Sequence, residues 1–87
     1  MYEVVLNPAA QKTYVNADKA LAKKIKRCLE NLEKNPRSHP NIKPLKGEFS
    51  GCYRYRIGDY RVIYKIEDAR VCVFVLAIVH RGESYKK

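Results

Sequence analysis

The stretch from Cys52 to Ile66, CYRYRIGDYRVIYKI, constrains the fold more than any other part of the chain. Two runs of alternating polar and apolar residues flank Gly58-Asp59, a strong short-range signal for a β-hairpin with a two-residue loop. With that loop, Ile57 lies opposite Tyr60, Arg56 opposite Arg61, and Tyr55 opposite Val62. Side chains alternate with period two, so one face carries Tyr53, Tyr55, Ile57, Tyr60, Val62, Tyr64 and Ile66. The other carries Cys52, Arg54, Arg56, Arg61, Ile63 and Lys65. Like charges directly opposite in a ladder destabilise it. Placing Arg56 across from Arg61, with Arg54 and Lys65 beside them, makes sense where an anion sits on that face. The hairpin reads as an anion-binding platform on a small sheet.

The 87 residues predict one domain spanning 1–87, with one modest core. Hydrophobic content of 46% is ordinary for a globular chain and argues against disorder. Val71 to Val79 is the longest apolar run, too short to span a bilayer and rich in β-branched residues; it reads as a buried strand. Met1-Tyr2-Glu3-Val4 lacks a basic start followed by a long apolar segment, so no signal peptide is expected. The net charge of +9 comes from 18 basic and nine acidic residues and suits nucleic acid, an acidic protein or an anionic surface as partner. The basic residues spread evenly along the chain, so the charge belongs to the folded body. Cys28, Cys52 and Cys72 stand far apart, and with His39 and His80 they form no metal-ligand spacing; reduced thiols and a cytoplasmic setting are expected, with no metal and no cofactor.

Taken in order, Tyr2 to Leu6 reads as a short strand. Asn7-Pro8 is an N-cap followed by proline at the first helical position, opening a helix to about Val15. Asp18 caps a second helix, Lys19 to Lys34, which puts Leu21, Ile25, Cys28, Leu29 and Leu32 on one face. Lys19, Lys23, Lys24, Lys26 and Arg27 cover much of the remainder and read as a solvated face rather than a separate nucleic-acid site. Asn35-Pro36 ends this helix. Arg37 to Lys46, with two prolines, reads as an irregular connection, and His39 as a surface residue of it. Glu67 to Arg70 makes a second turn before the last strand, Val71 to Val79, central and covered on both faces. The expected fold is α+β: an N-terminal strand, a helical hairpin, then three antiparallel strands in one twisted sheet with the helices on one face. The tyrosine-rich hairpin face then meets the helices and the arginine-rich face stays open.

The sequence has no Walker loop, no dinucleotide fingerprint, no paired carboxylates at useful spacing and no serine-nucleophile motif. A cationic cluster with few titratable companions suits phosphodiester chemistry, in which catalysis rests on positioning and on stabilising charge that develops on phosphate oxygens. RNA brings its own nucleophile, the 2′-hydroxyl. If Ile66 pairs with Val71, His80 shares parity with Cys72 and Phe74 and so continues the arginine face. Arg81 lies just beyond the regular strand, and Tyr85, four residues on, is able to fold back.

Leu45-Lys46-Gly47, Cys52-Tyr53-Arg54-Tyr55-Arg56, Tyr60-Arg61-Val62-Ile63-Tyr64 and Val73-Phe74-Val75 ending at His80-Arg81 together resemble the RelE/ParE superfamily of bacterial toxins. The helical hairpin with its Asn-Pro-Arg exit resembles the same family, so the likeness spans nearly the whole chain. It implies a toxin of a type II toxin–antitoxin pair, held inactive by a RelB-like acidic antitoxin that wraps its basic surface. RelE-like members are ribosome-dependent mRNA endonucleases acting in the ribosomal A site; ParE-like members poison DNA gyrase. The RelE-like reading implies Arg54, Arg56, Arg61 and Arg81 around the scissile phosphate, Lys46 and Lys65 as further RNA-binding residues, and Tyr85 in proton transfer. Branches that end in a His-Arg pair add His80 as a second acid–base candidate. The best-known RelE pattern has lysines where this chain has Arg54 and Arg56, and its tyrosine lies farther from the arginine than Tyr85 does from Arg81. Arginine is always protonated, so neither Arg54 nor Arg56 serves as a base. A gyrase-directed toxin and a non-catalytic nucleic-acid- or protein-binding module stand as alternatives.

Overall fold

The structure, a computed structural model, describes residues 1–81. The hairpin forms as its alternation dictates. Strand β3 (Cys52–Ile57) and strand β4 (Tyr60–Glu67) pair antiparallel with Ile57 opposite Tyr60, Arg56 opposite Arg61 and Tyr55 opposite Val62. Gly58 turns the loop at φ 58°, a conformation cheap for glycine and needed at the first loop position of a tight hairpin. Before them come β1 (Glu3–Leu6), helix α1 (Pro8–Val15), helix α2 (Lys19–Lys34) and β2 (Ile42–Pro44); β5 (Cys72–His80) follows. Single 3-10 turns at Gly47–Phe49 and Asp68–Arg70 lead into β3 and β5.

The five strands lie in the order β1-β5-β4-β3-β2, with β1 parallel to β5 and every other pair antiparallel. The helical hairpin carries the chain from the β1 edge to the β2 edge across one face. Between helices and sheet lies the core: Ile25, Cys28 and Leu32 of α2 and Ala10 of α1 against Tyr55, Ile57, Val62, Tyr64, Val73, Val75 and Ile78. The α2 stripe read from helical spacing is the buried one, with Leu21 and Leu29 at its partly exposed rim. Tyr55 and Tyr64, only 3% and 0% exposed, are core residues as expected. The Tyr64 hydroxyl donates to the Pro36 carbonyl at 2.6 Å.

Two expectations need correction. The connection 37–46 is not irregular throughout: Ile42–Pro44 adds a fifth strand, pairing with Tyr53 to Tyr55 of β3. Pro44 hid it, because proline cannot donate to a ladder and is confined to edges, which is where β2 lies. The second correction concerns β5. It pairs with neighbours on both sides, as its apolar run predicts, but Tyr64 pairs with Val75 and Ile63 with Ala77, leaving Leu76 as an extra residue. Such a bulge exchanges the faces of everything after it. Val73, Val75 and Ile78 therefore point to the helices, while Ala77 and Val79 join the arginine face. The helices cover only one side of β5.

The bulge is held by the residue that starts α1. Asn7 Oδ1 accepts the Ala10 N–H at 2.8 Å as N-cap, while Asn7 Nδ2 donates to the Leu76 carbonyl at 2.6 Å. Aspartate is ordinarily as good a cap as asparagine. Here Asn7→Asp would set a carboxylate oxygen against the carbonyl it now serves. We expect that substitution to cost about 1–3 kcal/mol, read from urea denaturation at neutral pH and recovered in part where the carboxylate is protonated. A cost of a few tenths would show that the Leu76 contact carries no weight.

At the opposite end of the sheet, Arg37 grips Asp68 with two nitrogens at 3.0 and 2.7 Å, and the Tyr2 hydroxyl donates to the same carboxylate at 3.0 Å. These bonds, Arg37 first and Tyr2 second, hold the Asp68 carboxyl below its usual 3.8. A carboxyl depressed in the folded state stabilises above its unfolded pKa, and that contribution disappears as pH falls through the folded value. Asp68→Asn should therefore lower the neutral plateau slightly and flatten the acid limb of a stability-versus-pH curve below pH 3.8 by the same small amount, since the pair is exposed.

Candidate phosphate-binding site

The face of the sheet turned away from the helices carries the charge. Arg54 and Arg56 project from β3 and Arg61 from β4, and Arg81 follows the end of β5. With Gly58 and Tyr60 these four arginines line one cavity of about 200 Å³, several times the ~30 Å³ that a water occupies in the liquid, so a phosphodiester group has room there. Among the described residues, nothing acidic lines it.

Two backbone devices aim the cations. The carbonyl of Asn41, just before β2, accepts Arg54 Nη1 at 3.0 Å and the Arg56 N–H at 3.0 Å. The Arg81 N–H donates to the Asp59 carbonyl at 2.6 Å, fastening the end of β5 to the hairpin loop, and Arg81 Nη1 stands 3.6 Å from the Asp59 carboxylate. That ion pair is mostly solvent-exposed and so weak; the backbone bond does the placing. Partial burial, then the charges of Arg61 and Arg56, pull the Arg54 pKa down. Arg54 remains a cation, since arginine does not deprotonate in proteins, but its charge is under-compensated. An anion entering the cavity relieves that repulsion.

Arg54, Arg56, Arg61 and Arg81 are thus brought together, while Lys46, Lys65 and His80 are not. Lys46 begins the 3-10 turn before β3 and does not line the cavity. Lys65 is on the same face but farther along, with Nζ 5.7 Å from the centre of the Phe74 ring. His80 is corrected outright in its placement. The Leu76 bulge puts it opposite Tyr60, and the two rings meet edge to face at 5.2 Å, on the opposite parity from Arg61 and Val79. Tyr85 lies outside the described residues. Lys23, Lys24, Lys26 and Arg27 are exposed on the outer face of α2, as a solvated stripe would be.

The site also contains residues that sequence reasoning passed over: Asn41 as the Arg54 anchor, Asp59 as the Arg81 tether, and His39, which is half-buried against Tyr55. A buried tyrosine hydroxyl needs a partner; that requirement was the one available signal for His39. Burial pushes the phenols of Tyr55 and Tyr64 upward, away from anything a general base requires. Tyr55 and Tyr64 are therefore poorly suited to act as general bases. Among the described residues, no three His, Cys, Asp or Glu side chains gather as a metal-binding group, and no helix is long and apolar enough to cross a membrane.

Residues 4–85 match the model of the family described as the ParE toxin of the type II toxin–antitoxin system, parDE. Toxin RelE of Mycobacterium tuberculosis is 40% identical over 55 residues, covering 63% of this chain and 55% of that protein. Toxin RelG of the same organism is 38% identical over 45 residues, covering 52% of each. The matches span about half the length of these curated relatives. The archaeal RelE–RelB complex from Pyrococcus horikoshii OT3 contains a chain that superposes with a TM-score of 0.81 at 27% identity, covering 95% of this chain and 98% of that one. An arginine-lined cavity on the open face of this sheet, with helices packed on the other, sits on the same fold as those toxins. The chain belongs to the ParE toxin family of type II toxin–antitoxin systems, within the RelE/ParE superfamily.

Proposed function

We propose that the chain acts as a single toxin domain whose activity is metal-independent, ribosome-dependent cleavage of mRNA in the A site. The observation that carries this reading is the convergence of Arg54, Arg56, Arg61 and Arg81 on one cavity that no carboxylate lines among the described residues. In the proposed reaction the 2′-hydroxyl attacks the adjacent phosphorus. The bond from 2′-oxygen to phosphorus forms, the bond to the 5′-oxygen breaks, and the products are a 2′,3′-cyclic phosphate and a 5′-hydroxyl. The arginines stabilise the negative charge that grows on the non-bridging oxygens, with Arg61 or Arg81 beside the leaving oxygen. Tyr85 or His80 takes the 2′-hydroxyl proton, and the leaving 5′-oxygen takes a proton from solvent. The turn of His80 toward Tyr60 favours Tyr85 in that role.

In the resting state, carboxylates of an acidic RelB-like antitoxin occupy the place of the scissile phosphate, a reading supported by the net charge of +9 and by the RelE–RelB assembly of the archaeal relative. Cytoplasmic action follows from the substrate. The test compares Tyr85→Phe and His80→Ala with the parent chain in cleavage of ribosome-programmed mRNA, with a ribosome-free control. Cleavage is expected to need the ribosome and to collapse in Tyr85→Phe; full activity in both variants would sink the proton-transfer assignment.

The family description itself favours one second reading, a ParE-like toxin directed at DNA gyrase, in which the basic face binds protein. Expression would then trigger DNA-damage signalling rather than translation arrest, and both Tyr85 and His80 would be dispensable.

A further inference from the structure

The cavity depends on Arg54 pointing inward, although Arg56 and Arg61 repel it. Among the described residues, the bond from Arg54 Nη1 to the Asn41 carbonyl opposes that repulsion. The same carbonyl also accepts the Arg56 N–H, so both its lone pairs are engaged. What holds Asn41 in place is His39. Its ring nitrogen Nδ1 accepts the Asn41 N–H at 3.1 Å, and its backbone carbonyl accepts the Ile42 N–H at 3.0 Å. The peptide that bears the anchoring carbonyl is thereby pinned from both sides.

The ring is itself fixed. It stacks on Tyr55 with centroids 4.8 Å apart and planes 30° from parallel, and Nε2 lies 3.2 Å from the Tyr55 hydroxyl. Because Nδ1 accepts a backbone N–H, the neutral imidazole carries its proton on Nε2 and donates it to the Tyr55 oxygen, which also accepts Asn31 Nδ2 at 2.8 Å. A chain of contacts therefore runs from helix α2 through Tyr55 and His39 to the Asn41 carbonyl and the Arg54 guanidinium.

We propose that His39 is a positioning residue of the anion site: its unprotonated Nδ1 fixes Asn41, whose carbonyl holds Arg54 in the cavity. The inference rests on the reading of Arg54 as a phosphate ligand. Two replacements separate positioning from packing. His39→Phe retains an aromatic ring on Tyr55 and loses the acceptor. His39→Asn loses the ring and keeps an acceptor that reaches the N–H two residues on, as asparagine commonly does in turns.

The experiment titrates inorganic sulfate into the full chain and into His39→Phe, His39→Asn and Arg54→Ala by calorimetry, with Tm measured alongside. His39→Phe should bind sulfate about three- to tenfold more weakly at nearly unchanged Tm, the range expected when a charged group's hydrogen-bond anchor is loosened. His39→Asn should keep its affinity while its Tm falls. Arg54→Ala should lose about tenfold or more. Unaltered binding in His39→Phe, or equal losses in both His39 variants that follow Tm, would overturn the positioning role alone. Unaltered binding in Arg54→Ala, or no sulfate binding by the parent chain, would overturn the phosphate reading beneath it.

Discussion

Arg61→Ala is expected to reduce cleavage of ribosome-programmed mRNA by about a hundredfold or more while leaving the fold as stable as before, or slightly more stable. The two halves of this expectation come from one geometry. Arg61 stands directly across the β3–β4 ladder from Arg56, and both line the cavity with Arg54 and Arg81. In the empty protein these charges only repel, and relieving a directly opposed like pair should contribute about 0.2–1 kcal/mol. In the proposed reaction each arginine meets negative charge that increases toward the transition state, where a single preorganised donor is worth about 10²–10³ in rate. Single-turnover cleavage and urea denaturation on the same preparation test both halves. A variant that loses activity only in proportion to lost stability would make Arg61 a structural residue. Full activity in a stable variant would remove it from the site.

The largest effect on stability is expected at Tyr64, on the opposite side of the same strand. Its side chain is fully buried among the core residues, and its hydroxyl donates to the Pro36 carbonyl. Tyr64→Phe keeps the ring but leaves that carbonyl without its donor, a cost of about 1–3 kcal/mol. Tyr64→Ala also removes the aromatic volume, and large-to-small replacements of this kind cost about 3–5 kcal/mol. Small domains have only about 5–15 kcal/mol in total, so the alanine variant should be largely unfolded under mild denaturant. Because the hydroxyl ties β4 to the exit of α2 and not to the cavity, the folded fraction of Tyr64→Phe should retain its sulfate affinity. A Phe variant as stable as the parent would show that the Pro36 bond contributes nothing net.

Much of the site was legible because the hairpin obeys the period-two rule without exception. Gly58-Asp59 sets a two-residue loop, that loop sets the register, and the register puts Arg54, Arg56 and Arg61 on one face and four tyrosines on the other. The caps at Asn7 and Asp18 and the stripe on α2 were equally direct, since each depends on neighbours within one helical turn. Strand β2 was obscured by Pro44. The parity of His80 was not readable at all, because Val71 to Val79 is apolar at every position and has no alternation to reveal a one-residue slip.

The sequence by itself thus determined the hairpin, its register, the two helices and the sign of the exposed face, all of them consequences of short-range periodicity and turn chemistry. Only the tertiary structure decided which of the remaining polar residues reach that face. The Leu76 bulge, held by Asn7 from the other end of the chain, turned His80 toward Tyr60. The Asp59 carbonyl brought the end of β5 to the hairpin loop and with it Arg81. His39, an unremarkable loop residue in the sequence, lies behind Arg54 because Tyr55 needs a partner for its buried hydroxyl. Each of these depends on a hydrogen bond between residues distant in sequence or on a ladder that slips by one, and local pattern carries no information about either.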